Sequence, residues 1–268
     1  METISLHGQK SALYPQYSLF FVTFTSPFKN HAMNRLITPE FFHQAPQALA
    51  IALLGKILRR KVRWQGKNFW LSARIIETEA YYRDEKASHS SLGYTAKRKA
   101  MFMAPGTIYM YYARGGDSLN FSALGEGNAV LVKAAFPHFD SISGRRQLEV
   151  MRALNPRNSI SGTTRLAKKT PRAIDRLCNG QTLLCKSLDL KVVDWDQQTL
   201  DKRRFYLAES GCQITRYIQC PRLGIPVGRD ENLWYRFIDF DAAHHATSNP
   251  LTKRKWREGV NYRVCDSF

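Results

Sequence analysis

Glu77 and Glu79 stand two residues apart in the segment "RIIETEAYYRDEKASH", Arg74 to His89, followed by Tyr81, Tyr82 and, after a charged loop, His89. A desolvated carboxylate beside stackable rings suits general-base work on a planar substrate. Alternate residues of a strand share a face. Leu71, Ala73, Ile75, Glu77, Glu79 and Tyr81 are therefore expected to point one way, and Arg74, Ile76, Thr78 and Ala80 the other. Glu79 and Tyr81 would then end the apolar side of the strand, where burial raises the basicity of a carboxylate. The same spacing also fits two ordinary strand acids bridging nearby arginines, and spacing alone does not separate the two.

Further rings follow in "TIYMYY", with Tyr109 and Tyr111 on one face and Tyr112 on the other. Strand tyrosines are by default core or cross-strand packing. Convergence of Tyr81, Tyr111 and His89 near Glu79 would instead make a slot walled by aromatic faces with an acid at its end. In a strongly basic protein such a slot suits an unstacked nucleobase better than a sugar or a peptide.

The whole chain supports that direction. Its 268 residues carry 40 Lys and Arg against 22 Asp and Glu, a formal charge of +18. Such a charge favours a polyanionic partner, most often nucleic acid. The length and the apolar fraction of 44% suffice for one sizeable core. No run of eighteen apolar residues offers a membrane span. Five cysteines without C-x-x-C spacing read as reduced thiols of a cytosolic protein. No H-x-E or P-C-x-x-C occurs, and adjacent His244 and His245 point apart in regular structure, so a metal-dependent deaminase is not indicated.

The elements that must position these groups are punctuated clearly from Thr38 onward. "TPEFF" reads as a capped helix start, and a second helix starts at Pro46 and stops at Gly55. "KILRRKV" and "FWLSARIIETEAY" read as strands around the turn "WQGKN". "PG", "RGGD" and "GEGN" divide residues 101–135 into a three-run antiparallel meander. A basic helix "GRRQLEVMRAL", a polar loop "NPRNSISGTTRLAKK" and a helix opened by Thr170-Pro171 and stopped at Asn179-Gly180 follow. "RFYLAESGCQITRYI" reads as a hairpin, "ENLWYRFID" as a late strand, and "NPLTKRKWREG" as a basic, loop-like tail. Without repeats or linkers, this is one α+β domain over 34–240. Residues 1–33 read as a poorly ordered or strand-like extension without signal-peptide features, with Met33 an alternative start, and 241–268 as a basic C-terminal segment.

Taken in order, "RIIETEAY", "ASHS", "MFMAPGTIYMYY", "LNFSALGEGNAVLVKAA" and "RLCNG" resemble the alkyladenine (3-methyladenine) DNA glycosylase family from about Leu36 to Asp239. The resemblance implies a mixed α/β fold with a curved antiparallel β-sheet, a protruding β-hairpin and flanking helices. It implies a monofunctional, monomeric base-excision enzyme that flips alkylated purines from double-stranded DNA and hydrolyses the N-glycosidic bond. The lesions would be 3-methyladenine and 7-methylguanine, with hypoxanthine and ethenoadenine left open. No cofactor, metal or membrane is implied. The enzyme would be cytoplasmic and nucleoid-associated in a bacterium, or nuclear in a eukaryote.

By position, the resemblance makes Glu79 the base that aligns water on C1′. It places Tyr81, Tyr111 and His89 around the flipped base, Asn120 against the exocyclic amino group of guanine, and Lys133 near the water and a backbone phosphate. A tyrosine commonly wedges into the stack in relatives; here Arg114 is best aligned, with Tyr112 two residues earlier. The chain departs from the pattern in a Tyr81–His89 loop one residue shorter than in animal enzymes. It also has "GQTLL" with Leu183 at a usually basic position, and "LWYRF" for P-W-R-F. "RLGIPVG" superficially resembles the glycine hairpin of helix-hairpin-helix glycosylases, a rival that the strand-rich centre opposes. A binding module of the same fold without chemistry is the other alternative; it would have little use for a carboxylate facing phosphates.

Overall fold

The computed structural model describes residues 34–113, 115–160 and 167–267. The expected N-terminal extension and the Arg114 position lie outside the described residues. The fold is a mixed α+β domain. It opens with a 3₁₀ turn, Pro39–Phe42, and α1, Pro46–Leu53, which has Pro at its first position. β1 (Ile57–Trp64) and β2 (Lys67–Tyr81) form a hairpin. Its turn residues Gln65 and Gly66 both take positive φ, 47° and 76°, as a tight hairpin requires. β3 (Ile108–Ala113), β4 (Gly116–Ser122) and β5 (Ala129–Pro137) make the expected meander.

The chain continues through α2 (Gln147–Leu154), the ribbon β6 (Arg157–Ile160) and β7 (Ala167–Thr170), α3 (Gln181–Ser187) and α4 (Val192–Trp195). It ends with β8 (Phe205–Ala208), β9 (Arg216–Cys220), β10 (Arg236–Asp239) and β11 (Arg263–Asp266). Among the described residues nine strands share one antiparallel sheet, with the main path β11-β9-β10-β2-β5-β4-β3 and β8-β1 joined to β2. β2 is its axis. One side of β2 pairs with β1 and then β10, the other with β5. β4 pairs with β5 only at Asn120–Ser122, so the outer half of the β3–β4 hairpin runs past β5. There it meets α3 so closely that a Cβ on Gly116 would stand 2.1 Å from Thr182 Cγ2.

The main core lies under α1 and includes Leu49, Leu71, Ile75, Phe121, Val132 and Phe237.

Three expectations are corrected. The helix over 170–180 is only a 3₁₀ turn, Ile174–Arg176. Ala135 N donates to the Cys178 carbonyl, and the Asn179 amide donates to the carbonyls of His245 and Ala246. These tertiary bonds hold the backbone open, and Gly180 begins α3 instead of ending a helix. The hairpin "RFYLAESGCQITRYI" is not one: β8 pairs with β1, and β9 with β10 and β11. The polar loop contains the β6–β7 ribbon, held by backbone bonds that need no apolar alternation.

Candidate active site

The acids of β2 do not lie on the face that strict alternation assigns. Ile75 pairs with Ala135 but Glu77 with Ala134, so Ile76 is an extra residue on β2. Thr78 then pairs with Val132, which leaves Lys133 extra on β5. Each bulge inverts the side-chain phase. Leu71, Ala73 and Ile75 join the main core together with Ala80, and Thr78 Oγ1 donates to Ala50 O of α1 at 2.8 Å. Glu77, Glu79 and Tyr81 are thereby turned to the opposite face. The expectation that Glu79 continues the apolar side is overturned by this bulge.

The two acids then divide the readings that spacing left open. Glu77 is a structural strand acid: Oε1 accepts from Arg236 Nε at 2.7 Å, both side chains fully buried. Its Oε2 accepts from Thr247 N at 2.7 Å, while Arg236 Nη2 donates to Ser248 O. This fixes the 247–248 backbone beside the sheet. Glu79 lies just behind the cleft wall, against the lining residues Tyr81 and Lys133. Its side chain is fully buried, Oε2 accepts the Tyr81 hydroxyl at 2.7 Å, and Lys133 Nζ stands 3.2 Å from Oε1. Oε1 is buried and is held by this ion pair, without an aligned hydrogen bond. Burial raises the affinity of the carboxyl for a proton, but Lys133, the Tyr81 hydroxyl and Arg236 together outweigh it and hold the group below the usual glutamate range. The expected rise in basicity is thus reversed by its neighbours.

In front of Glu79 lies a cleft of about 500 Å³. Tyr81, His89, Tyr109, Tyr111, Asn120 and Lys133 line it. The His89 and Tyr111 rings meet edge to face with centroids 4.6 Å apart, and His89 Nδ1 shares a 2.8 Å hydrogen bond with the Tyr109 hydroxyl. Partial desolvation, then Arg98 and Arg229, lower the His89 pKa, so the imidazole is neutral at neutral pH. Burial pushes the Tyr109 phenol well up, which keeps it protonated. In the tautomer where the phenol donates to Nδ1, the imidazole proton sits on Nε2, a donor for the edge of a bound ring. Asn120 donates from Nδ2 to Tyr109 O at 3.0 Å, which sets its amide orientation.

The structure thus brings together Glu79, Tyr81, His89, Tyr111, Asn120 and Lys133. Tyr112 is 68% exposed near the end of the β3–β4 hairpin and does not line the cleft. Several walls went unread in the sequence. Tyr109, read as core, holds His89. Gly180–Leu183 at the start of α3 form one wall; Leu223–Pro226 and Arg229 form another. Leu223–Pro226 of "RLGIPVG" thus belong to this second wall. Thr247 also lines the cleft, and its buried Oγ1 has no hydrogen-bond partner. No local pattern marks it, because Glu77 and Arg236 put it there.

Comparisons with known proteins identify the family of the chain. Residues 40–243 match the family model described as Methylpurine-DNA glycosylase (MPG). The chain belongs to the methylpurine-DNA glycosylase family, whose members are enzymes of DNA repair. It is 52% identical over 234 residues to a protein of Pseudomonas savastanoi pv. phaseolicola named "Putative 3-methyladenine DNA glycosylase", covering 87% of this chain and 99% of that protein. A Pseudomonas fluorescens protein of the same name is 53% identical over 222 residues, covering 83% and 90%. The "DNA-3-methyladenine glycosylase" of Rattus norvegicus is 36% identical over 193 residues, covering 71% of this chain and 55% of that protein.

Proposed function

We propose that this chain is a monofunctional DNA-3-methyladenine glycosylase that flips alkylated purines out of double-stranded DNA and hydrolyses the N-glycosidic bond with water activated by Glu79. The observation that carries the reading is Glu79 itself. It is buried behind an aromatic cleft, with one oxygen held by Tyr81 and the other beside Lys133 without an aligned donor. Glycosidic cleavage builds positive charge on the sugar, so an ionised carboxylate stabilises the transition state as well as taking a proton from water. Lys133 orients the carboxylate and reaches a backbone phosphate. Tyr81 and Tyr111 stack on the base, His89 contacts its edge, and Asn120 excludes the amino group of guanine. A base methylated at N3 or N7 is cationic, a good leaving group that ring faces attract. The proposed unit is a monomer.

The reading is tested with duplexes carrying 7-methylguanine, a 3-methyladenine analogue or hypoxanthine, treated with alkali after incubation. Strand cleavage at one or more lesions is expected, with intact strands before alkali. Tight lesion binding without cleavage would establish the non-catalytic alternative.

A flipped nucleotide leaves a gap that the enzyme must fill. We assign that role to the segment "YYARGGD", with Arg114 as the plug and Tyr112, two residues earlier, as the alternative. A guanidinium can stack on bases and also reach phosphate. Arg114→Ala is expected to slow excision of a lesion in a stable pair at least ~10-fold more than of one opposite an abasic gap. Tyr112→Ala should do less. Equal losses on both substrates would reduce Arg114 to a phosphate contact, and a larger selective loss for Tyr112 would move the wedge there.

A further inference from the structure

Arg222 has no part in the mechanism above, yet it is buried directly behind the cleft. Its guanidinium Cζ lies 4.5 Å from the Tyr81 ring centroid and 5.5 Å from that of Tyr235. It is 5% exposed and does not line the cleft, so it occupies the face of Tyr81 turned away from the base. Nη1 donates to Ala80 O at 2.9 Å and Nη2 donates to the Glu85 carboxylate. The other oxygen of Glu85 accepts from Tyr82 N at 2.6 Å. The pair therefore grips the backbone on both sides of Tyr81, while Glu79 holds its hydroxyl. These bonds tie down both the backbone around the ring and its hydroxyl.

From this we propose that the Arg222–Glu85 pair sets the preference of the cleft between cationic and neutral purines, acting through Tyr81. The inference rests on the reading that Tyr81 stacks on the excised base. A cation attracts the electrons of a ring from either face. With a guanidinium already on its rear face, Tyr81 has less to offer a cationic base in front. An arginine stays charged at any working pH. A base stacked on the front face would also sit close enough to that charge to feel it across the ring in a poorly screened site. Glu85 offsets the repulsion only in part, because it is the guanidinium that lies against the Tyr81 ring. Arg222 is thus a positioning residue that also dampens the advantage of charged lesions, and neutral lesions lose nothing by it.

The two partners have opposite signs, which gives the test. Single-turnover excision is measured on duplexes holding one 7-methylguanine, which is cationic, or one hypoxanthine, which is neutral, each opposite cytosine. Arg222→Met is expected to raise the ratio of cationic to neutral excision by about threefold or more. Glu85→Gln, which leaves the guanidinium uncompensated, should lower the ratio. The double variant Arg222→Met/Glu85→Gln should lie between Arg222→Met and the wild type. If Arg222 only supports the loop, both single variants slow the two lesions in parallel. Unchanged ratios, or shifts in the same direction for both partners, overturn the proposal. Should Arg222→Met fail to fold, Glu85→Gln decides by its sign. Excision of neither lesion by the wild type would instead overturn the proposed function.

Discussion

Glu79→Gln is expected to lower single-turnover excision by at least ~10²-fold while leaving affinity for a lesion duplex nearly unchanged. The substitution preserves shape, and an amide oxygen can still accept the Tyr81 hydroxyl. What it removes is the negative charge beside the developing sugar cation and the acceptor for the proton of water. Lys133, 3.2 Å from Oε1, would lose its counter-ion and hold the site more positive still. Rates within tenfold of the wild type would sink the assignment. The pH profile gives an independent check. Because Lys133, Tyr81 and Arg236 outweigh burial and keep Glu79 below the usual carboxylate range, the base form persists as pH falls. Glu79 should therefore add no acid limb to single-turnover excision above about pH 4. A limb near pH 6 that vanishes in Glu79→Gln would contradict the charge arrangement described here.

Arg236→Met is expected to cost about 3–5 kcal/mol of stability, the scale for removing one partner from a buried ion pair. Glu77 and Arg236 are both fully buried, and between them they make the 2.7 Å pair and the bonds to Thr247 N and Ser248 O. Removing the arginine leaves the Glu77 carboxylate without its counter-charge in the sheet. Glu77→Gln/Arg236→Met should cost less than Arg236→Met alone, since no unpaired charge then remains. Urea denaturation of the three proteins measures this. A loss below ~1 kcal/mol for Arg236→Met would show that the pair is dispensable to the fold. Since Arg236 also helps hold Glu79 ionised and fixes Thr247 on the cleft, the folded fraction should excise more slowly than the wild type.

Local signals were enough for much of the scaffold. The Pro46 helix start, the Gln65-Gly66 turn and the β3–β5 meander are each determined within a few residues, by φ preference and periodicity. They made β1, β2 and the aromatic run of β3 legible, and with them Glu79, Tyr81 and Tyr111 as a candidate site. His89, after the charged loop, belonged to the same reading, and the resemblance of ordered motifs added Asn120 and Lys133, which spacing alone does not single out.

Tertiary structure decided the rest, because pairing and packing partners are distant in sequence. The bulge at Ile76 exists only through the register of β2 against β5, and it alone chooses the face of Glu79. The pKa of Glu79 is lowered because Lys133 and Arg236 arrive from other strands and add to the Tyr81 hydroxyl on its own, while burial acts the other way. Gly180 begins a helix instead of ending one because Cys178 and Asn179 find hydrogen bonds elsewhere. Arg222 reaches the backbone of Ala80 across 142 residues. A short motif records which side chains are present. Which of them share a low-dielectric volume, and so change one another's charge, depends on how the strands are joined.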